Sequence, residues 1–505
     1  MFIKILAMLC AVLILASCNA DTLTEETTTA VEQQTSPSQP VVITPELKVG
    51  YNADDSLDPF KADSAANCAV TRLIYDSLFI CDDEFGPQML LAEKYECSED
   101  IVTVNIRQGV IFSDGSTLTA YDVSYSYTLA KSSSVYSDRL SDVAYLTVVD
   151  EYTVKFVLNS DNPHIVSCLD FPIVKKNSAS SPVGSGRYRY VEDSGKEYLM
   201  LNNKYKLSEN DGFGVIELCD MSTVDTISYK VQNGELDFVY DNLSSGKAPN
   251  INTSNMAVPL NNMVFVGMNS ESELMKLQAV RNAVGSALDA QSITDEVYGA
   301  FAKATDLPFH PDWYEADDSY SFERKSTLEY LSAIGYGKLN SDGFATNGWY
   351  TITLELIVNQ ENEQRVELAQ TIADSLIASG INVNVVKYSF KEYMSALESK
   401  SYDLYIGEVK LTNDMNLSEL FGGYLYYQTT NEFGIDRENE SRAAYKKYLS
   451  GEISLNEFCD TFMRSTPFVP LCFRSGVAIF SRSLGGTQQM FAGDIFYGIS
   501  EWTMP

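Results

Sequence analysis

From Glu46 onward, short apolar runs with a two-residue period alternate with stretches of helical spacing, and few architectures accept that alternation. Val102-Thr103-Val104-Asn105-Ile106-Arg107 alternates apolar and polar residues as a half-buried strand does. Gly109 interrupts it, Asp114-Gly115 turns the chain, and Thr119 and Asp122 have the spacing of a helix cap. Another strand follows at 153–158. The clearest unit is a strand over 351–358, a helix over 365–379 with Val366, Leu368, Ala369, Ile372, Ala373 and Leu376 on one face, and a strand over 383–386 after Gly380. The pattern predicts an α/β protein with mixed sheets flanked by helices.

At 505 residues and 45% hydrophobic content, the chain exceeds what one core normally uses. Lys and Arg number 36 against 69 Asp and Glu, a formal charge of −33, and such a field repels phosphates; a nucleic-acid partner is excluded. With two histidines, His164 and His310, multi-histidine metal centres are excluded too, and neither metal nor cofactor is expected. Lys4 precedes an apolar run at 5–16, which ends in Leu15-Ala16-Ser17-Cys18. This is the form of a lipoprotein signal (1–17), with lipid attached at Cys18 and the protein held at the extracytoplasmic face of the cell membrane. Residues 18–45 are rich in Thr, Ser, Gln and Pro and read as a disordered tether. Seven cysteines remain beyond Cys18, an odd number without a CxxC spacing, so free thiols and disulfides stay open as alternatives.

Leu91-Ala92-Glu93-Lys94-Tyr95, then Ile106-Arg107-Gln108-Gly109-Val110-Ile111-Phe112-Ser113-Asp114-Gly115, then Leu118-Thr119-Ala120-Tyr121-Asp122-Val123 resembles the signature of the family-5 extracellular solute-binding proteins. Further blocks follow in the family's order: 73–79, Pro182-Val183-Gly184-Ser185-Gly186-Arg187-Tyr188, 233–238, and Phe265-Val266-Gly267-Met268-Asn269 with Val280-Arg281-Asn282-Ala283. The resemblance implies a two-lobed clamp of the periplasmic-binding-protein type, class II. Lobe 1 would be discontinuous, 46–260 plus 475–505, with an extra subdomain near 62–155; lobe 2 would be 261–474. It also implies a monomeric substrate-binding lipoprotein of an ABC importer, with permease and ATPase subunits as partners and a peptide-like solute as ligand. An oligosaccharide or metal chelate as ligand, and a ligand-sensing role toward a membrane signalling protein, remain alternatives.

No P-loop, G-x-S-x-G elbow or HExxH arrangement occurs, and the chain is not expected to be an enzyme. The resemblance implies that the loop after 402–407 enters the ligand cleft, where peptide-binding members hold the ligand's ammonium with an aspartate. Here the loop reads Glu408-Val409-Lys410-Leu411-Thr412-Asn413-Asp414, with Leu411 at or beside that position. Glu408 is the candidate replacement for a cationic group, with Lys410 for an anionic end and Asp414 as the second carboxylate. Tyr51, Asp58 and Asn269 complete the candidate ligand-binding set, Asp58 as part of an acidic loop at 51–59.

Overall fold

The computed structural model describes residues 43–504, apart from 99, 208–211, 223–226, 245, 247–251, 318, 422–439 and 487–488. The signal segment, Cys18 and most of the tether lie outside the described residues. Residues 44–505 form one compact unit.

Among the described residues, eleven strands make one mixed sheet, ten along a continuous path and Ala302–Ala304 paired with Val469–Phe480 off that path. Its path runs Asn382–Tyr388, Thr353–Asn359, Leu404–Lys410, Ser254–Met268, Val469–Phe480, Phe238–Asp241, Leu47–Tyr51, Val215–Asp220, Lys196–Leu201, Tyr188–Asp193. Two of these strands are long. Ser254–Met268 and Val469–Phe480 run antiparallel from one hydrophobic core into the next, pairing Ser254 with Phe480 at one end and Val266 with Val469 at the other. The pairing slips between Pro259 and Met263, a bulge where the chain passes between cores.

The first core gathers apolar residues from Leu47 to Val258 together with Ala478 to Trp502. Within it Ala92–Ser98, Ile101–Ile106, Thr153–Leu158 and Val143–Asp150 form a separate antiparallel sheet covered by the helix Ala120–Lys131. Asp122 accepts hydrogen bonds from the amide and hydroxyl of Thr119, holding that helix's start. The sheet has no core of its own: Val104 and Phe156 share one cluster with Leu47 and Phe238. The helix Ala65–Ile74 packs on the main sheet, so this smaller sheet begins only at Ala92.

The second core lies on both faces of the other half of the sheet. Leu354, Leu356, Leu404 and Ile406 face the helix side, where Leu368, Ile372 and Leu376 of Glu363–Ala378 cover them. Ile357, Phe265 and Tyr405 face an aromatic cluster with Trp313, Phe458 and Phe462. The strand, helix and strand expected around 351–386 appear as Thr353–Asn359, Glu363–Ala378 and Asn382–Tyr388, the strands in parallel register. Asn362 caps the helix by accepting from Arg365 N, and Gly380 ends it at φ 91°. The cysteines from Cys68 to Cys472 are all free thiols.

Candidate ligand-binding cleft

Where the two cores meet, side chains from each cross to the other. Phe85, in the turn between Phe79–Cys81 and Pro87–Met89, sits in the second core's aromatic cluster, its ring 4.5 Å from that of His310. His164 reaches across likewise: Nδ1 lies 2.6 Å from the Tyr314 hydroxyl and Nε2 2.8 Å from that of Tyr448. Burial pulls the pKa of each histidine down to about 4. Asn162 donates to both Asp142 (2.8 Å) and Asp414 (2.7 Å), and Asn416 donates to Asp142 as well. Asn413 donates to Asp170 Oδ2 and to the Ser167 carbonyl, both at 3.2 Å. A cavity of about 290 Å³ lies along this seam, walled by Asp138 and Asp142 on one side and by Lys410, Thr412 and Asn416 on the other.

The strand Leu404–Lys410 leads into that seam. Leu404 and Ile406 are buried in the second core, and Glu408 and Lys410 follow on the same face because strand side chains repeat every two residues. Glu408 is neither open to solvent nor paired with Lys410. Its Oε1 takes Arg474 Nη1 at 3.0 Å and Asn262 Nδ2 at 2.9 Å, and its Oε2 takes Arg365 Nη2 at 2.9 Å. Burial opposes its ionisation, but Arg474, then Arg365 and the hydrogen bonds outweigh that and hold the pKa below the usual glutamate value. The carboxylate assigned by sequence to a ligand cation is thus already shared by two guanidiniums. Arg474 also donates to the Leu243 carbonyl, so one side chain spans the bulge between cores.

Lys410 differs. It keeps contact with solvent, and no carboxylate of the described residues lies within ion-pair distance. Crowding by the cleft walls, and then Arg139, lower its pKa. Beside it, Asp170 Oδ2 is shared by Arg72 (3.1 Å) and Arg139.

The remaining candidates separate. Asp414 is buried, accepts from Thr412 and Asn162, and fastens its loop to the first core; burial raises its pKa. Asn269 lies just past the other end of the strand Ser254–Met268, seven residues (roughly 23 Å) beyond the Asn262–Lys410 pair, and its amide holds the carbonyls of Lys400 and Tyr402. Tyr51 and Asp58 line a different cavity, about 420 Å³, bounded only by first-core residues such as Tyr75, Arg189 and Glu197. Asp58 there accepts from Lys61 and the Phe60 amide. Glu408, Lys410 and Asp414 therefore share a neighbourhood, which Tyr51, Asp58 and Asn269 do not join. Sequence reasoning missed Arg72, Arg139, Asp170, Arg365 and Arg474. Only Arg474 left a signal, as a charge inside the fully buried strand Val469–Phe480.

A sheet spanning two cores, two crossing strands and a seam lined by polar side chains define a binding clamp. Residues 86–431 match the family described as bacterial extracellular solute-binding proteins, family 5. The chain belongs to that family. It is accordingly the substrate-binding component of an ABC importer, a protein that captures a solute outside the cytoplasm. Among similar proteins, the oligopeptide-binding protein AppA of Bacillus subtilis is 24% identical over 378 residues, 67% of this chain and 68% of its own. The glutathione-binding protein GsiB of Salmonella paratyphi A is 23% identical over 478 residues, 87% of this chain and 91% of its own. The unliganded open form of the murein tripeptide-binding protein MppA superposes with a TM-score of 0.73 at 17% identity, covering 93% of this chain and all but 1% of that one. At such identity the structural likeness establishes the fold alone.

Proposed function

We propose that this chain is a lipid-anchored, monomeric receptor that binds a peptide-like solute between two lobes, 46–260 plus 475–505 and 261–474, and passes it unaltered to the permease and ATPase of an ABC importer. The observation that carries the reading is the paired strands Ser254–Met268 and Val469–Phe480, whose pairing slips at Pro259–Met263 between two separate cores. A bulge there gives a hinge about which the cores can part without losing the sheet. A solute touching both cores binds the closed state better and shifts the population toward it. The peptide class is supported by the similarity to AppA, an oligopeptide-binding protein, and GsiB, a glutathione-binding protein. Binding without catalysis is supported by the seam's histidine: both His164 nitrogens are occupied by tyrosine hydroxyls, and its lowered pKa suits no general base at neutral pH. Anchoring rests on Leu15-Ala16-Ser17-Cys18. A thermal-shift screen against a peptide library tests the reading, run on the Cys18→Ser protein recovered from the soluble fraction. A ligand-dependent rise in melting temperature is expected. No shift with any peptide, or a Cys18→Ser protein still bound to membranes, would refute the respective half.

A further inference from the structure

In the first core's half of the sheet, Val49, Leu218, Glu197 and Glu192 stand opposite one another on four adjacent strands. Strand side chains alternate faces, so Tyr51 and Tyr190, each two residues from that row, share its face and flank Glu197. Tyr75, just past the helix Ala65–Ile74, donates its hydroxyl to the Pro182 carbonyl at 3.2 Å. The three tyrosines and Glu197 all line the cavity of about 420 Å³ that holds Tyr51 and Asp58. Tyr51 and Tyr75 are buried, whereas Tyr190 is 40% exposed. The place is also a natural one for a ligand. Tyr51 ends a strand with parallel neighbours on both sides, Val215–Asp220 and Phe238–Asp241, the switch in strand order outside which α/β sheets bind small molecules.

One atom of the wall is unsatisfied: Glu197 Oε2 is buried and has no hydrogen-bond partner. A buried oxygen left in that state calls for a donor. Burial, and after it the nearby Glu197 carboxylate, raise the pKa of both flanking phenols, to about 12 for Tyr190, so the rings stay uncharged at neutral pH. The other charges along the cavity are engaged or turned away. Asp55 accepts from the amides of Ser56, Asp63 and Ser64, and Asp58 from Lys61 and the Phe60 amide. Arg189 pairs with Met200, alternates in face with Tyr190, and donates to the Met200 sulfur at 3.7 Å.

A carboxylate among tyrosine rings suits an organic cation: the positive group is drawn to the negative ring faces, and an N–H answers the unpaired oxygen. A calcium ion would need about six to eight oxygen ligands, more than one unengaged carboxylate and its phenols provide. We propose that this cavity binds a primary ammonium group on a short apolar stem, the ammonium donating to the Glu197 carboxylate and the stem lying against Tyr51, Tyr75 and Tyr190. Its walls come from the first core alone, so the site is additional to the seam and independent of what the seam binds.

Calorimetry on the full chain tests it with n-butylammonium, and with n-butanol and butyrate as neutral and anionic counterparts on a similar stem. The amine is expected to bind at least about tenfold more tightly than either. Glu197→Gln is expected to lose at least about tenfold for the amine, with an unchanged melting temperature. Tyr190→Leu is expected to lose about threefold. No binding of the amine, or butanol binding as tightly, overturns the site, and so does an amine affinity that survives either substitution. Should Glu197→Gln fail to fold, Tyr190→Leu, at an exposed position, decides alone: a loss upholds the site and an unchanged affinity overturns it.

Discussion

Glu408 shows how a residue can be located by sequence and misjudged in its chemistry. A carboxylate at the end of an alternating strand, facing a cleft, is a reasonable partner for a cation. Its partners turn out to be Arg474 and Arg365, far away in sequence and brought in by the crossing strand and the helix Glu363–Ala378. Removing its charge leaves Arg474, itself only 9% exposed, without a counter-ion. Breaking a buried pair from one side costs about 3–5 kcal/mol, so Glu408→Gln is expected to lower unfolding free energy by about 3 kcal/mol in a denaturant titration. A ligand-contacting Glu408 would instead leave stability unchanged. The placement of Glu408 and Lys410 on one face of their strand was legible because strand periodicity is local. The site's charge balance was not, since Arg72, Arg139 and Asp170 come from three separated segments, and nothing in their spacing links them.

At the scale of elements, the strands Ser254–Met268 and Leu404–Lys410 explain two glycines that turn chemistry does not. Phe265 stands opposite Gly407 and Tyr405 opposite Gly267, so each ring lies over the bare backbone of its partner strand. A Cβ on Gly267 would fall 1.9 Å from Tyr405 Cε1, and one on Gly407 2.3 Å from Phe265 Cζ. Gly267→Ala is therefore expected to cost at least about 1–3 kcal/mol by overpacking. Pairing it with Tyr405→Leu, which withdraws the ring, should recover part of that loss in thermal melts. Failure of the double variant to recover would mean that the backbone itself, and not the ring, demands glycine. The alternation that revealed these strands also hid this detail: a period of two says which face a residue occupies, and nothing about what crosses over it.

Across the whole molecule, both histidines stand at the seam between cores, His164 from one side and His310 from the other. Their pKa values near 4 lie below the unfolded value of about 6.5. The stability tied to their neutral forms is fully present above pH 6.5 and is lost as pH falls toward 4. Asp76 and Asp494 act in the opposite sense, since burial pushes them up to about 7 and about 6, and they gain on the same descent. The histidine contribution is isolated by comparing the native protein with His164→Gln, which retains an amide for the tyrosine hydroxyls but does not titrate. The stability gap between the two is expected to narrow by about 3 kcal/mol between pH 6.5 and pH 4. A gap constant with pH would show that His164 packs without resisting protonation.

The paired crossing strands also bear on how such a molecule can be rebuilt. Met263 and Phe473 are register partners, so their Cα atoms lie about 5 Å apart. The described residues between them, which supply the helix-covered face and the aromatic cluster apart from Phe85, leave and re-enter at a single doorway. Genetically that makes the second core a cassette. A segment from another protein whose ends meet at the same spacing could be spliced between those two residues without rerouting the host chain, and the recognition half of the clamp exchanged while the rest is kept.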